Sequence, residues 1–164
     1  MREFEERLSE IYPGAMRFAR GLEGSETDGD DLLQDALLRA WRAYPKLRDP
    51  DRFPAWLYAI IRNTHRSRAR KRAIRRWISL DHAAERPAPE GIPFEEKDAV
   101  RRALARLPLP EREAILLYEV VGMPVSGVAR HQGVTESAVK SRLARGRERL
   151  RKTYERMNRA GGAK

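Results

Sequence analysis

Five side chains in the last third of the sequence, Ser137, Lys140, Ser141, Ala144 and Arg145, recur at the spacing of one helical face. At 3.6 residues per turn the small residues run along the centre of that face and the two cations flank it. A helix built this way sinks into the major groove of a duplex, where the cations reach base edges or phosphates. Arg147, Arg149, Arg151 and Lys152 lie further along and are placed for phosphates. Thr135 is an N-cap for this helix. Before it, Val125 to His131 is long enough for two helical turns and Gln132-Gly133-Val134 for a tight turn, with Gly133 supplying the backbone freedom. Ala129 is small where two helices must cross. Val139, Leu143, Gly146 and Leu150 form the opposite, core-facing stripe. The pattern is a helix-turn-helix.

Residues able to make or break bonds are not assembled in the same way. His65, His82 and His131 are far apart, and none has a partner at a metal-ligand spacing such as HExxH. There is no G-x-S-x-G elbow and no glycine-rich phosphate loop. With no cysteine, disulfides, thiolate metal sites and thiol nucleophiles are excluded. The acids Asp28, Asp30, Asp31 and Asp35 lack the glycine and terminal glutamate of a calcium loop, and read as helix N-terminal residues. The expectation is a protein with no catalytic residue, no metal and no cofactor.

Charge marks out the elements that carry these faces. The 164 residues have a formal net charge of +10, unevenly spread. Residues 1–40 sum to −5, residues 41–80 to +10, residues 81–100 to −4 and residues 101–164 to +9. Two cationic blocks alternating with two anionic ones predict two polyanion-binding surfaces. Ser79 to Phe94, with three prolines and a glycine, reads as a flexible acidic linker. The rest is helix-patterned, so the fold class is all-α: two small helical domains, 1–78 and 95–164, joined through 79–94.

In the first domain, Phe4, Leu8, Ile11, Tyr12, Ala15, Phe18, Ala19 and Leu22 follow helical spacing, and Pro13-Gly14 is expected to kink or split that helix. A second helix from about Asp30 to Tyr44 places Leu33, Ala36, Leu37, Ala40 and Trp41 inward. A loop, Pro45 to Arg52, precedes a third helix with Phe53, Trp56, Leu57, Ile60 and Ile61 as its buried stripe. From Arg62 to Arg76 that helix holds eight basic residues and no acid. Short helices around Val100–Leu107 and Glu111–Val121 open the second domain. No apolar run approaches membrane-spanning length and the first residues do not look like a signal peptide, so a cytoplasmic protein without membrane insertion is expected.

The chain resembles the extracytoplasmic-function sigma factors, the two-domain form of the sigma-70 family of bacterial RNA polymerase. LPLPEREAILLYEVVGMPVSGVARHQGVTESAVKSRLARGRERLR, residues 107–151, is similar to region 4, and DDLLQDALLRAWRAYPKLRDPDRFPAWLYAIIRNTHRSRARKR, residues 30–72, to region 2. The resemblance implies that core RNA polymerase is bound through its largest-subunit clamp helices and its flap, with Asp31, Gln34, Asp35, Leu38 and Arg39 on the clamp-facing surface. It implies that the promoter −10 element is melted and read by Lys46, Arg48, Asn63, Arg66, Arg70, Lys71 and Arg72. It implies that the −35 element is read by Thr135, Ser137, Lys140, Ser141, Ala144, Arg145 and Arg147. It also implies an anti-sigma partner, and association with the nucleoid when polymerase is bound. The sequence departs from the family after Arg62-Asn63, where Thr64, His65, Arg66 and Ser67 replace the usual apolar pair and aspartate. At Val125-Ser126-Gly127 the usual aromatic and acidic helix start is missing, so loose capping is expected there.

The alternative is a helix-turn-helix regulator that never touches polymerase, which leaves the first domain without a job and predicts a palindromic site. A decoy that only sequesters an anti-sigma factor would have lost its cations. Trp41 and Trp56 are expected in the core, while Trp77 reads equally as core, a base-stacking platform or an anti-sigma contact.

Overall fold

The computed structural model describes residues 2–78 and 96–161. The expected linker, Ser79–Phe94, lies outside the described residues, which contain helices, turns and no strand.

Three long helices make the first unit: α1 (Arg2–Glu23), α2 (Glu26–Ala43) and α3 (Phe53–Ile78). Helix α1 runs unbroken past Pro13. A single proline removes one helical hydrogen bond, but Phe4 on one side and Ala15, Phe18 and Leu22 on the other are all buried in one core. Burial of each such large side chain contributes roughly 1.5–3 kcal/mol, which keeps the two halves in one helix. Helix α2 starts earlier than the expected Asp30. Ser25 has extended backbone and its hydroxyl accepts from the Asp28 amide at 3.2 Å, so the cap sets the start despite Gly29 in the second turn. Of the acids read as helix N-terminal, Asp28 stands in the first turn of α2, while Asp30, Asp31 and Asp35 lie further inside it. Asp30 takes a bidentate pair from Arg20 of α1 at 2.7 and 2.9 Å, which holds its carboxyl below the usual range.

Two short 3-10 turns, Tyr44–Lys46 and Pro50–Arg52, carry the chain to α3. Around them Phe4 meets Trp41, Tyr44 and Phe53 edge to face at 5.2, 5.2 and 5.5 Å between ring centres. Trp41 and Trp56 are only half-buried: they wall this aromatic cluster rather than occupying the core.

The second unit contains α4 (Glu96–Ala105), α5 (Leu109–Ile115) with a π-helical turn after it (Leu116–Val120), α6 (Val125–Gln132) and α7 (Glu136–Gly161). The wide π turn lets the consecutive residues Leu116 and Leu117 both face inward. Val139 and Leu143 of α7 close the core against Ile115 and Val128.

The units pack directly on each other, and their apolar residues form one continuous cluster. Gly21 of α1 lies so close to Leu116 that a Cβ there would fall 2.4 Å from a leucine methyl. Polar contacts line the rest of the seam. Arg112 donates to the Leu22 carbonyl at 2.7 Å and also to the carbonyls of Ala105 and Leu107. Arg62 donates to the His131 carbonyl. Arg101 pairs with Glu26 at 2.9 Å, and Arg66 with the fully buried Glu113 at 3.2 Å.

Candidate nucleic-acid and polymerase interfaces

Gly133 sets the turn between α6 and α7. Its φ of 68° and ψ of 37° are left-handed, and the following amide, Val134, reaches back to the Ala129 carbonyl at 3.0 Å. Thr135 then caps α7, its hydroxyl accepting from the Ala138 amide at 3.1 Å. These two local devices fix the direction in which α7 leaves the turn. Helix α6 follows Pro124 at its N-cap position with no side-chain cap, in line with the expectation for Val125-Ser126-Gly127.

With Val139, Leu143 and Gly146 buried, the opposite face of α7 is exposed at Ser137, Lys140, Ser141, Ala144 and Arg145. Thr135 sits exposed at its head. Arg145 reaches Glu111 at 3.4 Å, and Arg147 pairs with Glu119 while standing 5.7 Å over the Tyr118 ring. Lys140 makes no ion pair among the described residues. The face offers one unengaged flanking cation, Lys140, and two side chains that must exchange a carboxylate to reach a phosphate.

In the first unit, Asn63, Arg66, Arg70, Lys71 and Arg72 are exposed along α3, and Lys46 and Arg48 are exposed on the loop before it. Two of the seven are engaged internally. Arg66 holds Glu113 across the seam, and Arg72 holds Glu23 at 3.0 Å. Thr64 and His65 are buried. Burial, followed by the surrounding charges of Arg112, Arg72, Arg68 and Arg66, lowers the His65 pKa to about 4. His131 across the seam is likewise lowered to about 4, by burial and then by Arg62 and Arg66.

On α2, Asp31, Gln34, Asp35, Leu38 and Arg39 share an exposed face. Leu38 is 58% exposed, and with Gln34, Phe4, Leu37 and Trp41 it lines an open, largely apolar groove of about 460 Å³. Asp35 also pairs with Arg68 of α3 at 3.2 Å. The described residues contain no cluster of His, Asp or Glu able to hold a metal ion. None of their helices is long and apolar enough to cross a membrane.

Sequence reasoning missed the acids that engage these cations: Glu111, Glu113 and Glu119. Glu111 and Glu113 are buried, whereas in sequence they look like two ordinary charges at the start of a short helix.

The architecture and the two faces define a class. A family model for sigma-70 region 2 matches residues 8–75, and one for sigma-70 region 4 matches residues 97–150. The sigma factor SigM of Mycobacterium tuberculosis is 36% identical over 137 residues, covering 82% of this chain and 68% of its own length. EcfG of Rhodopseudomonas palustris is 33% identical over 142 residues, covering 84% of this chain and 77% of its own. Among solved structures, the sigma factor RpoE in complex with the anti-sigma factor NepR, from Bartonella quintana, superposes with a TM-score of 0.78. It is 29% identical and covers 94% of this chain and 98% of its own. CnrH in complex with the cytosolic domain of CnrY gives a TM-score of 0.67 at 30% identity, covering 93% and 87%. The chain belongs to the extracytoplasmic-function sigma factors of the sigma-70 family.

Proposed function

We propose that this sigma factor binds core RNA polymerase and takes it to a bipartite promoter, where α7 reads the −35 element in the major groove and α3 opens the −10 element. The observation that carries the reading is the pair of exposed cationic faces, one in each unit, each standing on a helix whose other side is buried. On α7 the contacts fall to Ser137, Lys140, Ser141, Ala144 and Arg145, with Thr135 and Arg147 on flanking phosphates. On α3 and the loop before it they fall to Asn63, Arg66, Arg70, Lys71 and Arg72, with Lys46 and Arg48. Extruding a base costs a few kcal/mol, which contacts to this surface offset.

The clamp helices of the largest subunit dock on the α2 groove, where Leu38 and Gln34 supply the apolar and amide contacts and Asp31, Asp35 and Arg39 the charged rim. Polymerase performs all nucleotide chemistry. The protein works in the cytoplasm, at the nucleoid when bound to polymerase. Two relatives similar in fold across most of this chain were solved in complex with anti-sigma factors, which supports an anti-sigma partner here.

Run-off transcription from a genomic promoter library tests the reading. Chain plus core polymerase is expected to give transcripts that share a bipartite upstream motif and are missing with core alone. Direct binding to a palindromic duplex with no effect on polymerase would overturn it in favour of a conventional regulator.

A further inference from the structure

One of the acids opposite the reading face of α7 differs from the rest. Glu111 stands in the first turn of α5, where a helix favours an acid. An acid serving only the helix start would lie in water, whereas Glu111 is 6% exposed. Its carboxylate is turned to α7 instead. Oε1 accepts from Arg145 Nε at 3.4 Å, and Oε2 lies 3.5 Å from Arg149 Nε. Close approach of the two helices makes this reach possible. A Cβ on Gly146, between the two arginines, would fall 2.7 Å from the Ile115 Cδ1 methyl and 3.3 Å from Glu111 Cβ.

The two arginines form one flank of the reading face. Measured from Ser137 at 100° per residue, Arg145 and Arg149 stand about 80° and 120° to one side, and Lys140 about 60° to the other. Arg142, also on the arginine side, is held by the Gln132 amide oxygen at 2.9 Å. One carboxylate therefore serves two guanidiniums. Both are engaged through Nε, and their terminal nitrogens make no hydrogen bond among the described residues. On the opposite flank Arg147 pairs with Glu119, which is 44% exposed and so weakened by water.

A phosphate and a base edge respond differently to such a flank. A phosphate is drawn by net charge, and the buried carboxylate cancels the charge of one of the two guanidiniums. A guanine edge is a neutral pair of acceptors, O6 and N7, and is bound by the donor fork of an arginine. Held by Nε, Arg145 and Arg149 keep that fork while their pull on phosphate is reduced.

We propose that Glu111 is a positioning residue for −35 recognition: it holds Arg145 and Arg149 by Nε, lowers their affinity for phosphate and leaves their terminal donors to a base edge. The proposal rests on the −35 reading given above for α7.

The test uses holoenzyme assembled from the full chain and core polymerase, with duplexes carrying the −35 element of a promoter found by run-off transcription, intact or scrambled. Glu111→Gln keeps the shape and removes the charge. Arg145 and Arg149, with side chains 57% and 53% exposed, then return to water. Affinity for the scrambled duplex is expected to rise about fivefold, and its log–log salt slope to steepen by about 1. Affinity for the intact duplex should change less, so discrimination falls. Adding Arg149→Gln restores the net charge of the flank, and the salt slope should return to its original value. A role in folding alone predicts weaker binding of both duplexes with no steeper slope, and that result would overturn the proposal. So would discrimination and slope that Glu111→Gln leaves unchanged, in which case the −35 reading stands and only the role of Glu111 is refuted. If unaltered holoenzyme does not tell the intact from the scrambled duplex, the −35 reading of α7 itself fails, and the role of Glu111 with it.

Discussion

Replacing Glu113 by glutamine should open the seam between the two units. The Glu113 carboxylate is fully buried, 3.2 Å from Arg66. It also acts on the charges of Arg62 and Arg112, both of whose pKa values are pulled down by burial and lifted in part by acids that include Glu113. Arg62 and Arg66 come from the first unit and Arg112 from the second, so one carboxylate holds cations of both units together. Breaking a buried ion pair costs about 3–5 kcal/mol. Arg66 is 45% exposed, and solvent screening of that partner brings the expected loss nearer ~2 kcal/mol. At about 1.4 kcal/mol per tenfold, the ratio of packed to open chain falls roughly 30-fold. Because the chain has no cysteine, Glu5→Cys and Asn158→Cys, both at exposed positions, give two unique label sites for energy transfer. Transfer should drop in Glu113→Gln and in Arg66→Gln. The double variant should lose little more than either single one, since both break the same pair. Transfer equal to that of the unaltered chain, with a lowered melting temperature of the second unit alone, would show that Glu113 serves only its own unit and would refute the reasoning.

Lys140→Ala and Arg145→Ala should each cost about 1–3 kcal/mol of discrimination at the −35 element, read as the ratio of transcripts from intact and −35-mutated templates. Neutralising Arg70 and Lys71 together should weaken open-complex formation and reduce its log–log salt slope by about 2. Arg72, already engaged by Glu23, should matter less when changed alone. The packed state should weaken in acid: His65 and His131 titrate near 4 when buried and near 6.5 when freed. Opening or unfolding therefore takes up protons below pH 6.5. Stability is unaffected above that value and falls progressively as pH drops from about 6.5 to about 4, which pH-dependent energy transfer on the same labelled chain would follow.

Most of the fold was legible because periodicity reports burial. The stripes through Phe18, Leu57 and Val139 are core, and the turn at Gly133 and the cap at Thr135 stand where their chemistry demands. Errors arose where tertiary packing overruled a local signal. Pro13 did not split α1, and α2 starts at Glu26, under the Ser25 cap, rather than near Asp30. The seam was not legible at all, because it is built from arginines whose spacing in sequence is that of a solvated face. Arg62, Arg66 and Arg112 read as surface or nucleic-acid cations until the acids and carbonyls opposite them are known. Trp77, at 85% exposure, could be placed outside the core only from the structure.

The packing of one unit on the other also bears on measurement along DNA. Elements centred near −35 and −10 lie about 25 base pairs apart, roughly 85 Å of duplex. A compact chain of this length is only about 40 Å across. Closed on itself, the protein owns two reading heads and no ruler: it can touch either element, never both. The distance between the elements must be supplied by whatever holds the units apart. Selectivity for correct spacing then belongs to the holoenzyme, and the seam keeps the free protein from sampling half-sites with both heads at once.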